Sequence, residues 1–197
     1  MSGLREAKKA ATRDALARAA AHLALTDGPE ALTVATIAAS AGVSTRTFHN
    51  YFASREEALV EFMRSRINHL IGQLNELPPE LGAQDALEHL VISHLLKGDS
   101  ELDSFSALYH IGEILETLGP PPCALDANIM LDSLRDFFRN KQPGLQDFEI
   151  DVSIHLQAAA IASALKWYYR APEPRDPKDA MALVQRACAL LKPEPEP

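Results

Sequence analysis

Apolar residues recur three to four positions apart along most of this chain, and few stretches alternate with period two. That periodicity predicts helices, and the abundance of Ala and Leu agrees with it. Prolines punctuate the pattern. Pro78-Pro79, Pro120-Pro121-Pro122, Pro143-Gly144, the run from Pro172 to Pro177 and the tail from Pro193 each stop a helix, and Gly28-Pro29 does so earlier. The segments between these stops predict about nine helices, over residues 5–25, 34–41, 45–51, 54–75, 84–97, 101–118, 124–140, 147–170 and 177–191. The first carries Leu16, Ala20 and Leu23 on one face. Thr33 and Ser44 are N-caps for the second and third. Ser54-Arg55-Glu56-Glu57 fits a capping box at the start of the fourth. The Pro-Glu tail, residues 193–197, reads as disordered. The expected fold class is all-α: a three-helix head over residues 1–53 on a helical body over 54–192.

Within the head, Ala38, Gly42 and Phe48 have the spacing of a helix-turn-helix. A small residue lets the two helices cross closely. Gly accepts the positive φ of the turn without steric cost. A large apolar residue pins the second helix to the core. Ile37 and Val43 supply apolar neighbours. This geometry lays a helix in the DNA major groove.

Charge at first opposes that reading, because the formal net charge is −8. Its distribution reverses the impression. Residues 1–70 hold nine Lys/Arg against seven Asp/Glu, and the remainder holds ten against twenty. An acidic body repels phosphate and favours docking by the mildly basic head. At 47% hydrophobic and 23% charged, the composition is that of a soluble globular protein. Cys123 and Cys188 form no CxxC and read as reduced thiols. The N-terminus lacks an apolar signal core, and the longest uncharged apolar run, 152–165, is short of the ~18 residues of a membrane span. A cytoplasmic protein with no membrane partner is expected.

Thr33-Val34, Ile37-Ala38, Ala41-Gly42-Val43-Ser44, Thr47-Phe48, Tyr51-Phe52, Arg55-Glu56 and Leu59 together span three helices and two caps in one register. Through these residues the chain resembles the tetracycline-repressor (TetR) family of bacterial transcription regulators over about residues 12–60. Two positions depart from that family's pattern. His49 stands where Tyr is usual and can donate the same hydrogen bond to phosphate. Arg55 stands where Lys is common and also binds phosphate.

The third helix is polar on its outer face, and Thr45, Arg46 and Thr47 form its first turn. Arg46 is the candidate for base readout, because guanidinium matches the O6/N7 edge of guanine. Thr45 and Thr47 can bond a base edge or touch a thymine methyl. His49, Asn50, Tyr51 and Arg55 are expected on phosphates. Thr33 and Ser44, opening their helices, join the DNA-binding set, Thr33 through its backbone N–H. Arg5, Lys8 and Lys9 are either a solvated charged end or, as the resemblance implies, further contacts to phosphate or the minor groove.

A single helix-turn-helix reads few base pairs, and dimers place two such helices one DNA turn, ~34 Å, apart. In the eighth helix Ile154, Ala158, Ile161, Leu165 and Tyr168 form a stripe, and in the ninth so do Leu183, Val184 and Ala187. Such stripes either cover the monomer's core or, as the resemblance implies, pair with their copies in a four-helix bundle of a homodimer. The resemblance also implies an effector pocket in the body. Phe105, Leu108, Tyr109, Met130, Leu134, Phe137, Phe138 and Trp167 are its candidate lining, and Gly112 leaves room for a ligand or for a close helix crossing. Few charges fall inside these stripes, so an apolar or amphipathic effector is expected, its polar end oriented by His94, His110 or His155.

The expected protein is thus a ligand-responsive repressor. It binds a palindromic operator in double-stranded DNA as a homodimer and is released when the effector favours a different tilt of the fourth helix. No GxSxG, HExxH, P-loop or Gly-rich dinucleotide turn points to an enzyme. No catalytic residue, metal ligand or cofactor is expected. The rival class is a helical protein-binding adaptor without DNA specificity, which the outer face of Thr45, Arg46, His49 and Asn50 disfavours.

Overall fold

A computed structural model of the chain describes residues 2–97, 102, 104–118 and 127–192, the side chains of residues 2, 127–131 and 133 excepted. Nine α-helices lie among the described residues: α1 (Ser2–Thr26), α2 (Val34–Ser40), α3 (Thr45–His49), α4 (Arg55–Gly72), α5 (Ala83–Leu96), α6 (Phe105–Leu118), α7 (Ala127–Lys141), α8 (Asp147–Arg170) and α9 (Pro177–Ala189). A single 3-10 turn, Gln73–Glu76, follows α4. No strand occurs among the described residues, and the all-α reading holds. The tail at 193–197, Cys123 and the start of the seventh expected helix lie outside the described residues.

The chain forms two compact units. One comprises Met1–Arg66 and His110–Asp126, the other Ile67–Tyr109 and Ala127–Pro197, so α4 and α6 contribute to both. In the first unit α1 packs on α2, and α2 on α3. Leu16, Ala17, Ala20, Ala21 and Ala24 of α1 are buried with Leu32, Ile37, Ala38, Phe48 and Phe52. The small side chains bring helix backbones close, and the two Phe rings fill the remaining volume, with centroids 5.7 Å apart.

Local chemistry sets the turns of this unit. Thr33 Oγ1 accepts from the Thr36 N–H at 3.1 Å, and Thr36 Oγ1 accepts from the Thr33 N–H at 2.9 Å. This reciprocal pair fixes where α2 begins. At its other end Gly42 has φ +69°. The Gly42 N–H bonds the Ala39 carbonyl and the Val43 N–H reaches back to the Ala38 carbonyl, at 3.1 and 2.9 Å. That is a Schellman ending, and it aims α3 away from α2. Ser44 Oγ then accepts from the Thr47 N–H at 3.0 Å to open α3. At α4, Ser54 caps the Glu57 N–H at 3.2 Å, but the return bond from Glu57 goes to the Ala53 N–H, at 2.6 Å, rather than to Ser54.

In the second unit α8 packs on α9 and α7, and α9 on α5. Val91, Leu95, Ile161, Ala164, Tyr168, Tyr169, Ala180, Val184 and Cys188 form one buried cluster. Gln157 is buried among these helices, and its amide donates to the Gln84 carbonyl at 3.1 Å. Burial pushes the Cys188 thiol up to about 11, with Glu88 adding to the effect, so thiolate is scarce at neutral pH. By length and composition alone α8 is apolar enough to cross a membrane. It is instead two-faced: Ile150, Ile154, Gln157, Ile161, Ala164 and Tyr168 are buried, while Phe148, Val152, Leu156 and Trp167 are exposed.

Candidate nucleic-acid interface

The first unit turns the outer face of α3 to solvent. Thr45, Arg46, His49 and Asn50 are exposed, Thr47 and Tyr51 half-buried, and Phe48 fully buried. The α3 face is therefore free to enter a groove while Phe48 anchors it from beneath. Thr33 and Ser44 are exposed, but both hydroxyls are engaged in capping. A groove of about 350 Å³ runs alongside, lined by Arg5, Lys8, Lys9 and Thr12 of α1 and by Thr47, Asn50 and Tyr51. The structure thus brings the α1 cations next to the polar end of α3.

Arg55, expected on phosphate, is also bonded within the unit. Its Nη1 donates to the Leu32 carbonyl at 2.6 Å and its Nε to Glu56 Oε1 at 2.9 Å. The side chain is one-third exposed and straps the start of α4 to the residue before the α2 cap.

One organising residue of this unit escaped the sequence reading. Arg13 of α1 donates to the Tyr51 carbonyl at 3.0 Å and to Glu61 Oε2 at 3.1 Å, and its guanidinium lies 4.6 Å from the Phe52 ring centroid. Arg64 donates to the other Glu61 oxygen at 2.6 Å. Arg13 therefore ties α1, the end of the α3 segment and α4 together. Pairs 38 and 48 residues apart leave no periodic trace in a sequence. The only signal was Glu61 and Arg64 at i,i+3 on a helix that also carries apolar stripes.

Burial pushes the Glu61 carboxyl up, but the hydrogen bonds and charges of Arg13 and Arg64 outweigh it, and the group titrates below its ordinary 4.5. A depressed carboxylate contributes stability that is complete above its unfolded pKa and is lost as pH falls through the folded one. Glu61→Gln should therefore lower the urea midpoint at pH 7. The gap to the unsubstituted protein should shrink as pH falls below about 4.5. A constant gap from pH 7 to pH 3 would contradict the network.

In the second unit the expected pocket residues are largely packed. Leu108, Leu134, Phe137 and Phe138 are buried, Phe105 is half-buried with its ring 6.2 Å from His94, and Tyr109 stacks on Tyr169 at 5.1 Å. Trp167 is 77% exposed on α8, where it lines a surface cleft with Ser163, Lys166 and Arg170. Gly112, which belongs to the first unit, would meet no atom within 4 Å of an added Cβ, so it marks space rather than a close helix crossing. The Met130 side chain lies outside the described residues. His94 Nε2 sits 2.8 Å from Gln73 Oε1, and His155 Nδ1 bonds the Asp151 carbonyl at 2.7 Å.

The stripe expected at the dimer is divided between the core and the surface of its own unit. Ile154, Ile161, Tyr168 and Val184 are buried inside their own unit and have no surface to offer a second copy. Leu165, Leu183 and Ala187 are half-buried against that core, and Ala158 is exposed. No group of three or more His, Cys, Asp or Glu among the described residues is placed to hold a metal ion.

The family model for bacterial regulatory proteins of the tetR family matches residues 16–62. Residues 16–62 thus carry the tetR-family signature. The TetR segment covers the helix-turn-helix, the Ser54 cap and the first half of α4, and ends at Phe62 beside Glu61. That family is one of bacterial regulatory proteins. No curated protein matches the chain by sequence. Two solved structures resemble it in fold. The fatty acid degradation regulator FadR from Bacillus halodurans superposes with a TM-score of 0.58 at 16% identity, over 91% of this chain and 93% of that one. Thermus thermophilus FadR, a TetR family transcriptional repressor in complex with lauroyl-CoA, does so at 0.62 and 21%, over 94% and 98%.

Proposed function

We propose that this protein is a ligand-responsive repressor of the TetR family that binds a palindromic operator as a homodimer. Residues 1–53 act as its DNA-binding head and 54–192 as its effector and dimerisation body. The observation that carries this reading is the α3 face. Thr45, Arg46, His49 and Asn50 stand exposed on a helix whose underside is pinned by Phe48, beside a groove lined by Arg5, Lys8 and Lys9. Arg46 reads a base edge, with Thr45 and Thr47 alongside. His49, Asn50 and Tyr51 hold phosphates, and Thr33 and Ser44 offer the amide ends of their helices. Arg55, also expected on phosphate, reinforces the head through the Leu32 carbonyl.

Selection from random DNA should return a palindrome. Arg46→Ala should then cost ~1–3 kcal/mol on the selected site and relax preference at one base pair per half-site. Unchanged specificity in a shift assay would remove Arg46 from base readout. Lys8→Ala should act differently, weakening all sequences alike and flattening the log–log salt dependence by about 0.9 per phosphate lost.

A fatty acyl thioester is the effector class to test first. The fold likeness to a FadR bound to lauroyl-CoA supports it, as do the aromatic and aliphatic side chains of α6 and α7. Effector binding biases the dimer toward a state whose heads no longer fit the operator, with a coupling of ~1–3 kcal/mol. Arg13 gives a route within the head, because any shift of α4 at Glu61 is felt at the Tyr51 carbonyl. Lauroyl-CoA added to the operator complex should release the DNA. Retention at saturating ligand would exclude this effector class.

A further inference from the structure

Several polar side chains at the candidate interface are engaged within their own unit. Thr33 and Ser44 cap their helices, Thr47 Oγ1 lies 2.9 Å from Ser44 Oγ, and Arg55 bonds the Leu32 carbonyl and Glu56. His49 is not. It is exposed at the end of α3, and its ring meets Phe48 edge-on, with centroids 5.5 Å apart. Neither of its ring nitrogens has a hydrogen bond or an ion pair among the described residues. The charges around it are few. Arg46 is the other charged residue of α3. α2, which packs on α3, carries no titratable side chain. On α1, Arg5, Lys8 and Lys9 line the groove beside Thr47, Asn50 and Tyr51, and Arg13 is bonded to the Tyr51 carbonyl and Glu61. At the start of α4, Arg55 and Glu56 pair with each other, and Glu57 accepts from the Ala53 N–H. No carboxylate among the described residues pairs with His49, so an anion for its ring has to come from outside the unit.

We propose that His49 docks on operator phosphate as the imidazolium, so that each head takes up a proton when it binds DNA. The proposal rests on the repressor reading above and adds pH as a second input to operator binding. Phosphate beside an imidazole favours its charged form, and a charged N–H bonds phosphate more strongly than a neutral one. Imidazole is the side chain that ordinarily changes charge near neutrality, at about pH 6.5. On the outer face of α3, Arg46 keeps its charge throughout that range, and Thr45, Thr47 and Asn50 have none. The sign follows from linkage. The complex holds more protons than the free protein, so operator affinity is highest at low pH. It falls as pH rises, until His49 is neutral in both states.

The test is fluorescence anisotropy of the full chain on the palindrome returned by selection at about pH 6. Affinity is measured from about pH 5.5 to about pH 8.5 at fixed ionic strength, since salt alone shifts DNA binding. The unsubstituted protein should lose about tenfold in affinity per head across that range. His49→Lys keeps its charge throughout and should hold the low-pH affinity at every pH. His49→Gln keeps a donor without a charge and should hold the high-pH affinity at every pH. Thermal unfolding without DNA should match the unsubstituted protein for both variants, since the side chain is exposed. A pH-independent affinity of the unsubstituted protein, or a pH dependence that His49→Gln retains, overturns the proposal and leaves the repressor reading standing. Absence of operator binding at every pH overturns the repressor reading, and the proposal with it.

Discussion

Phe48→Ala should abolish operator binding and destabilise the unit carrying the helix-turn-helix by ~3–5 kcal/mol. Phe48 is fully buried, two residues from the exposed Arg46 and beside the exposed His49. Its ring packs 5.7 Å from Phe52, which in turn lies under the Arg13 guanidinium. α3 has only five residues, too few for helical hydrogen bonding to hold it in place. Its position therefore depends on the Ser44 cap, the Schellman ending of α2 and this one anchor. Removing the ring leaves a cavity that the α1 and α2 backbones cannot close without moving. His49→Ala is the matched control. It lies on the same helix at an exposed position and should change stability by less than about 0.5 kcal/mol while still weakening DNA binding. Urea denaturation and a shift assay on both variants separate anchoring from contact. If Phe48→Ala keeps the urea midpoint and the operator affinity of the unsubstituted protein, the core of this head is misassigned.

The contrast between these two neighbours shows what was legible in the sequence. Elements ended by cap chemistry were placed closely. Thr33 and Ser44 open α2 and α3, Gly42 turns between them, and α8 spans the expected 147–170. Elements bounded only by periodicity drifted. The helix expected from residue 101 begins at Phe105, because Ser104 caps the Ala107 N–H. The helix expected to reach 75 tightens into a 3-10 turn from Gln73, and apolar spacing does not distinguish the two. The exposed half of the candidate interface was readable because capping and burial leave few choices for Thr45, Arg46 and His49. Arg13 and the strap made by Arg55 were not, since each depends on a partner far along the chain.

The same limit decides the second large prediction. Replacing Leu156 and Trp167 together with Glu should convert the proposed homodimer to a monomer without unfolding it. Periodicity says which residues of α8 share a face, but this helix has two apolar faces and only one is needed inside. Ile154, Ile161 and Tyr168 are taken by the core of their own unit. The face left over carries Phe148, Val152, Leu156 and Trp167, with Leu156 52% and Trp167 77% exposed. An unpartnered stripe of that length is what a two-fold copy covers, and each substitution then enters the interface twice. Loss of two anchors on both sides should cost ~4 kcal/mol or more, on the order of a thousandfold in the dimer dissociation constant. Ile161→Glu should behave in the opposite way, unfolding the chain at any concentration, because it buries a charge with no partner. Sedimentation velocity alongside thermal unfolding distinguishes the three proteins. A Leu156→Glu, Trp167→Glu chain that stays dimeric would move the interface off α8. A folded monomer that also loses the palindromic site would tie operator recognition to this face, because one α3 alone spans only half of the operator.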